Sequence, residues 1–251
     1  MRSTGAPLIA AIIAGTLASV AAAETFVGTD EGEVLRGTPQ PDQIYGEGGD
    51  DTISGLEAND YLEAGPGADT IDAGPGSDLI IGGTGNDRIL AGGGNDVIYA
   101  GADDDEVLGG PGDDHIFGQV GDDRLFGGPG EDRIYAGAGT DFVDGGADAD
   151  RITSDGDSTL LGGAGADTII ARGDRVVVDG GPDADRIRTG DGRDEITGGA
   201  GADSISSGRG RDAIGVADGE RDVVDCGRGR DRVRADAIDR LRRCEIRDIV
   251  G

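Results

Sequence analysis

The sequence is poor in the residues that usually build a protein core or an active site. Tryptophan is absent and aromatic residues make up 3% of the chain, which excludes a core packed around large rings. His115 is the single histidine, so a zinc protease with a histidine pair is excluded and His115 is expected at the surface. The chain has no lysine for a phosphate-binding loop and no G-x-S-x-G elbow. A net charge of -29 disfavours nucleic acid as a partner.

Cysteine is almost as scarce, with only Cys226 and Cys244. In an oxidising compartment this pair most simply forms one disulfide that closes a short loop. A metal site from two cysteines without a nearby histidine is a poorer alternative.

Long apolar runs are confined to the N-terminus. The stretch "MRSTGAPLIAAIIAGTLASVAAAETF" places Arg2 before an apolar run from Ala6, and three alanines end at Ala23. This order predicts a secretory signal peptide over residues 1–23, and hence a secreted protein without a membrane span in its mature chain. The alternative is a retained membrane anchor, which the short, Ala- and Gly-rich run disfavours.

What the sequence has in excess is glycine, with 51 residues, and acid, with 51 aspartates and glutamates. Such a composition alone predicts disorder, because little apolar surface is available to offset chain entropy. A strict period reverses that expectation, since small residues can stack into a continuous core. Steps of nine from Leu35 to Ile152 meet Ile, Leu or Val each time, and an acid stands two residues before each of them. The phase slips within Ser154–Leu161 and near Val216, and the acid is missing at Val176.

Each unit predicts a short strand and a tight loop. The three residues around the aliphatic one form a strand with a single inward side chain, and the glycine-rich remainder reverses the chain. Two units then make one flat turn of about eighteen residues, so that units n and n+2 become neighbours in a rod of about eleven rungs. The aspartates line both edges. Because stacked carboxylates repel each other, a hard cation is needed, and Ca²⁺ suits irregular, carbonyl-rich loops better than Mg²⁺.

The best units read "AGPGADTID", "GGTGNDRIL", "AGGGNDVIY", "GGPGDDHIF" and "GGPGEDRIY". This G-G-x-G-x-D-x-U-x pattern resembles the RTX (repeats-in-toxin, hemolysin-type) nonapeptide family from about Gly28 to Arg234. The resemblance implies an all-β, right-handed parallel β-roll over residues 24–234, with several calcium ions between the loops of units n and n+2. The aspartates it implies as ligands are Asp69, Asp78, Asp87, Asp96, Asp105, Asp114, Asp123, Asp132 and Asp141. The glycines it implies around the ions are Gly65, Gly67, Gly74, Gly76, Gly83, Gly85, Gly92, Gly94, Gly110, Gly112, Gly128 and Gly130.

Three loops depart from the pattern where the third glycine belongs. Asp103 stands there in the loop of Asp105, so this loop matches the pattern less closely. Gln40 and Ala58 stand there in the loops of Asp42 and Asp60, where degenerate or empty sites are expected.

Charge divides the chain into two halves. Residues 24–171 hold 33 acids and 5 arginines, whereas residues 172–251 hold 18 acids and 16 arginines. In the second half Arg193, Arg211 and Arg230 each precede a loop aspartate, and one hypothesis is that they partly replace calcium as neutralisers. The alternative is that they extend into solvent and contribute little.

Residues 235–251 leave the pattern and predict a C-terminal cap, which a solenoid needs to cover its last rung. We expect a short helix through Ile238 and Leu241, tied back by the disulfide. A C-terminal export signal of the RTX type is the rival interpretation, and the N-terminal signal makes it redundant.

The sequence therefore predicts a secreted calcium-binding repeat protein without a catalytic domain. It would fold on extracellular calcium and serve as a structural, surface or interaction module toward cell-surface or matrix components. The alternative is an extracellular polysaccharide-modifying enzyme with its active site on a solenoid face. An ice-binding face is a further alternative, but the free positions around the strands follow no Thr or Asn ladder.

Overall fold

A computed structural model describes residues 23–250 of the 251-residue chain. The predicted signal peptide, apart from Ala23, lies outside the described residues. Within them the chain forms 29 β-strands, β1 to β29, in three parallel sheets. No helix of this part of the chain is long and apolar enough to cross a membrane.

Odd and even strands separate into two stacked sheets as far as β19, as expected when successive units fall on opposite faces. The first 13-stranded sheet contains β1 Thr25–Thr29, β3 Gln43–Glu47, β5 Tyr61–Pro66, β7 Leu79–Thr84, β9 Val97–Ala102, β11 His115–Val120, β13 Arg133–Ala138, β15 Arg151–Ser154, β17 Thr168–Ala171, β19 Arg186–Arg188, β22 Ser204–Ser206, β25 Val223–Asp225 and β28 Arg240–Arg242.

The second 13-stranded sheet faces the first and takes the intervening strands. It contains β2 Val34–Arg36, β4 Thr52–Ser54, β6 Thr70–Pro75, β8 Arg88–Gly93, β10 Glu106–Leu108, β12 Arg124–Pro129, β14 Phe142–Ala147, β16 Thr159–Ala164, β18 Val177–Pro182, β21 Glu195–Ala200, β24 Ala213–Val216, β27 Arg232–Asp236 and β29 Ile246–Val250. A small third sheet contains β20 Asp191–Gly192, β23 Arg209–Gly210 and β26 Arg228–Gly229.

The register follows the predicted eighteen-residue turn. Ile98 lies beside Ile116, and Ile116 beside Ile134. The first slip shortens the step, so that Val143 pairs with Leu160. The predicted parallel β-roll is therefore confirmed, with thirteen rungs where eleven were expected, which makes a rod roughly 60 Å long.

The core is a double row of side chains between the two main sheets. From Ile44 to Val233 the aliphatic residue of each unit is buried, and so is the first residue of the next unit, as at Ile71 and Ala73. Many strands therefore contain six residues with two inward positions, where the sequence predicted three residues with one. The first glycine or alanine of a unit is small enough to remain in the extended strand, which leaves only about three residues to turn the chain.

The C-terminal end also differs from expectation. The predicted helix through Ile238 and Leu241 is wrong, because the chain continues as β28 and β29 and adds a rung to each main sheet. The predicted disulfide between Cys226 and Cys244 is present and ties this end to the preceding rung.

Candidate metal centres

Each regular loop places its aspartate inside one edge of the rod. The first edge leads from the first sheet to the second and carries Asp51, Asp69, Asp87, Asp105, Asp123, Asp141, Asp194, Asp212 and Asp231. The second edge leads back and carries Asp42, Asp60, Asp78, Asp96, Asp114, Asp132, Asp150, Asp167, Asp185, Asp203 and Asp222. All of these residues are at most 4% exposed.

Aspartates of neighbouring rungs are joined through one carboxylate oxygen. From Asp42 to Asp132, the backbone N–H of each aspartate donates to Oδ1 of the aspartate eighteen residues later, for example from Asp78 to Asp96 at 2.7 Å. The five loop pairs expected from the sequence are all brought together in this way. They are Asp69 with Asp87, Asp78 with Asp96, Asp96 with Asp114, Asp114 with Asp132, and Asp123 with Asp141.

The second carboxylate oxygen has no such partner. Eighteen of these aspartates bury Oδ2 without any hydrogen-bond donor. Native proteins leave only a few buried polar atoms unpaired per hundred residues, and a buried unpaired charge is costly. The residues concerned are Asp51, Asp60, Asp69, Asp78, Asp87, Asp96, Asp105, Asp114, Asp123, Asp132, Asp150, Asp167, Asp185, Asp194, Asp203, Asp212, Asp222 and Asp231.

Burial also changes how readily these carboxyl groups ionise. Loss of solvation raises the pKa of Asp78 and Asp87 to about 7. It raises the pKa of Asp114 to about 7 and that of Asp150 to about 8. Protein atoms alone therefore do not stabilise the charged form of these groups at neutral pH.

Backbone carbonyls supply further oxygen atoms at the same edges. In the loop hydrogen bonds of the described chain, the carbonyl oxygens of Gly67, Gly76, Gly85 and Gly94 accept nothing. The carbonyls of Gly67, Gly76 and Gly94 each lie against the glycine eighteen residues later. A Cβ on Gly85 or Gly94 would overlap the carbonyl oxygen of Gly67 or Gly76. All the glycines predicted from the sequence except Gly76 have positive φ angles.

The chemistry of these groups fits a hard cation. No group of three or more His, Cys, Asp or Glu side chains suited to a metal occurs in the described residues, so any ion at the edges must take backbone oxygens as well as carboxylates. An all-oxygen, mixed and irregular set of this kind suits Ca²⁺, which accepts six to eight oxygens with flexible geometry.

Comparison with known families agrees with this geometry. The RTX calcium-binding nonapeptide repeat matches residues 27–62, 54–89, 81–116, 117–152, 152–175 and 179–214. The chain belongs to this family. Repeats of the RTX family bind calcium in general. No curated protein matches the chain.

The departures from the RTX pattern at the third glycine have different structural results. Ala58 and Asp103 both adopt positive φ, 82° and 79°, so their loops keep the shape of the glycine loops. The loop of Asp42 differs, because the N–H and hydroxyl of Thr38 both donate to Oδ2 of Asp42, at 2.6 and 3.0 Å. Both oxygens of the Asp42 carboxylate therefore have partners, unlike those of the eighteen aspartates with an unpaired Oδ2.

The two irregular units interrupt the carboxylates of the first edge. Ser158 takes the place of an aspartate, and its hydroxyl donates to Oδ2 of Asp141 at 3.1 Å. Val176 takes the next place and is fully buried. The first edge therefore has two successive rungs without a buried loop aspartate, whereas the second edge has no such gap between Asp42 and Asp222.

Beyond this gap the loops of the first edge close differently. The backbone N–H groups of Arg193, Arg211 and Arg230 donate to the carbonyls two units earlier, at 2.7, 3.1 and 3.1 Å. The last two acceptors are Gly192 and Gly210, glycines equivalent to those with unpaired carbonyls in the N-terminal half. Within residues 23–250 the three guanidinium groups form no ion pair with any carboxylate, and all three side chains are exposed. Direct pairing of these arginines with loop carboxylates is thus not observed.

Several aspartates with the same environment were not among the predicted ligands. Like the predicted ligands, they bury an unpaired Oδ2, and they lie on the second edge: Asp150, Asp167, Asp185, Asp203 and Asp222. Their position in the nine-residue period is the signal that identifies them. The loops of Asp167 and Asp203 also keep the full glycine pattern. In the loops of Asp150 and Asp185 the third glycine is replaced by Asp148 and Asp183, which adopt positive φ in its place.

Proposed function

We propose that this protein is an exported rod that takes up several Ca²⁺ ions at its edges and acts as a structural, surface or interaction module without a catalytic domain. The observation that carries the proposal is the double row of buried Oδ2 atoms without donors. The calcium ligands would be the nine aspartates from Asp69 to Asp141 together with carbonyls of the intervening glycine loops. The same environment extends the proposal to the second edge as far as Asp222.

Calcium would supply the positive charge that the loops lack. Sites of extracellular modules typically have dissociation constants of about 10⁻⁴ to 10⁻³ M. Ligand that binds only the folded state stabilises it at every occupied site, so binding and folding become coupled. The protein would then remain poorly ordered where calcium is scarce and fold in a calcium-rich exterior.

Substitution of a stacked pair tests the sites. In Asp78→Asn/Asp96→Asn, the amide oxygens can still accept the N–H bonds now made to Oδ1, but two charges are removed. We expect the calcium bound per chain, measured by equilibrium dialysis, to fall by at least one ion. The matched control is Asp72→Asn/Asp179→Asn, which removes two exposed charges from the sheet faces, and it should bind the full amount. An equal loss in both variants would contradict the assignment.

Export is proposed from the N-terminal sequence and agrees with the disulfide, which is favoured in oxidising compartments. We expect the exported protein to begin at Glu24, and its intact mass measures this directly. A mass that includes residues 1–23 would favour the retained anchor.

A further inference from the structure

Four arginines form a ladder on the first edge, which begins next to Val176 in the gap and continues toward the C-terminus. We propose that this ladder binds an extended acidic polysaccharide along the rod axis. It consists of Arg175, Arg193, Arg211 and Arg230 and is called the arginine ladder below. The inference goes beyond the proposed function, because it concerns loops whose carbonyls are already hydrogen-bonded and a ligand of opposite charge to calcium.

The arginine ladder is held by backbone hydrogen bonds. Its members occupy the same position in four consecutive loops, and the N–H groups of Arg193, Arg211 and Arg230 bond to the preceding loop of the edge. The third sheet pairs Asp191 with Arg209 and Gly192 with Gly210, and repeats this arrangement one rung later. Because rungs rise by about 4.8 Å, the ladder presents one guanidinium per step over roughly 15 Å.

The charges of the arginine ladder are not compensated by ion pairs. The ion pairs of residues 23–250 involve Arg88, Arg172, Arg209 and Arg243, and none involves a member of the ladder. All four side chains are exposed. Like charges held at such short spacing repel each other, and guanidinium groups bind carboxylates and sulfates through paired hydrogen bonds. A polymer whose anionic groups repeat at a similar spacing could pair with several guanidinium groups of the arginine ladder at once.

A groove runs along the arginine ladder. Its volume is about 800 Å³, and all four ladder arginines line it together with Arg232. Its remaining lining mixes apolar side chains, such as Val177 and Ile246, with carboxylates, of which Asp194 and Asp212 are buried. Sugar rings combine apolar faces with charged substituents and so match both parts of this surface.

The same lining favours a polysaccharide over a nucleic acid. Single-stranded nucleic acids are held by aromatic side chains on which bases stack, and no aromatic residue of the described chain lines the groove. An extended acidic sugar chain carries its charged groups on every sugar or on every second sugar, so that they repeat at about one or two rung spacings. A rigid ladder selects such a regular polymer over a flexible acidic peptide, which must be ordered on binding.

Binding of polysaccharides of defined charge tests the proposal. The full chain, saturated with calcium, is titrated with hyaluronan oligosaccharides, which carry carboxylates, and with low-molecular-weight heparin, which also carries sulfates. An oligothymidylate of matched charge serves as the nucleic-acid probe. We expect at least one polysaccharide to bind more tightly than the oligothymidylate, and the two polysaccharide titrations distinguish the preferred anionic group.

The decisive variant is Arg193→Gln/Arg211→Gln, whose backbone donors remain in place. Loss of charge-assisted hydrogen bonds should weaken polysaccharide binding at least about tenfold and reduce the slope of log affinity against log salt by roughly two. Arg133→Gln/Arg151→Gln is the matched control, since these exposed arginines lie in register on the first sheet. It should bind as the parent does.

Equal weakening in both variants, no binding of either polysaccharide, or tighter binding of the oligothymidylate would each overturn the proposal. Circular dichroism in calcium verifies that both variants are folded. Because the calcium dependence of folding is read separately, failure of polysaccharide binding leaves the proposed function intact.

Discussion

Replacing Gly94 by alanine should destabilise the calcium-loaded rod by about 2 to 4 kcal/mol. Gly94 has a φ of 130°, which side chains rarely adopt, and a Cβ there would overlap the carbonyl oxygen of Gly76. The clash involves backbone on both sides, so a rotamer change cannot relieve it. In a domain of this size the melting temperature should fall by roughly 5 to 15 °C, which thermal unfolding followed by circular dichroism measures in excess calcium.

Gly215→Ala is the matched control. No atom lies within 4 Å of a Cβ at this position, and Gly215 lies in β24 without positive φ. The free energy of unfolding of this variant should lie within about 0.5 kcal/mol of that of the parent. If the Gly94 and Gly215 variants melt at the same temperature, the close stacking of the loops is not what stabilises the rod.

Protonation of the buried carboxyl groups at low pH should stabilise the fold of the metal-free protein, as calcium does at neutral pH. Burial raises the pKa of Asp78, Asp87, Asp105 and Asp114 from 3.8 to about 7 in the fold. The folded state therefore holds more protons than the unfolded state between about pH 4 and pH 7. The stabilisation of the metal-free fold by these protons is fully present below about pH 4 and is lost as the pH rises through 7.

Circular dichroism of protein dialysed free of metal measures this pH dependence. We expect little order at about pH 7.5 and a gain of β signal as the pH falls toward 4. In excess calcium at about pH 7.5 the same signal should already be complete. Metal-free protein that is equally disordered at both pH values would show that charge on the buried carboxyl groups is not what opposes folding.

The repeat made the register and the position of the carboxylates predictable. One aliphatic residue every nine positions determines which strands are neighbours, as Ile98 and Ile116 show. The aspartate two residues earlier must then stack on its equivalent one turn later. Strand length was less predictable, because small residues such as Ala73 are typical of turns but here belong to the buried core.

The nine-residue period does not predict the last strand or the backbone pairing of the arginine loops. Val233 pairs with Arg247, so the last strand lacks the aliphatic residue that marks the strands of the two main sheets from β2 to β28. The loops of Arg193 and Arg211 keep glycine and aspartate in phase, yet their backbones pair with one another. That pairing depends on how consecutive loops are oriented, which residue types alone do not reveal.

The central claim is that buried carboxylates prevent this chain from keeping its fold at neutral pH unless calcium is bound. Thermal unfolding at pH 7, with excess chelator in one sample and millimolar calcium in the other, tests it most directly. The account predicts a cooperative melt with calcium and a largely disordered chain without it. Equal order and the same melting temperature in both samples would contradict it.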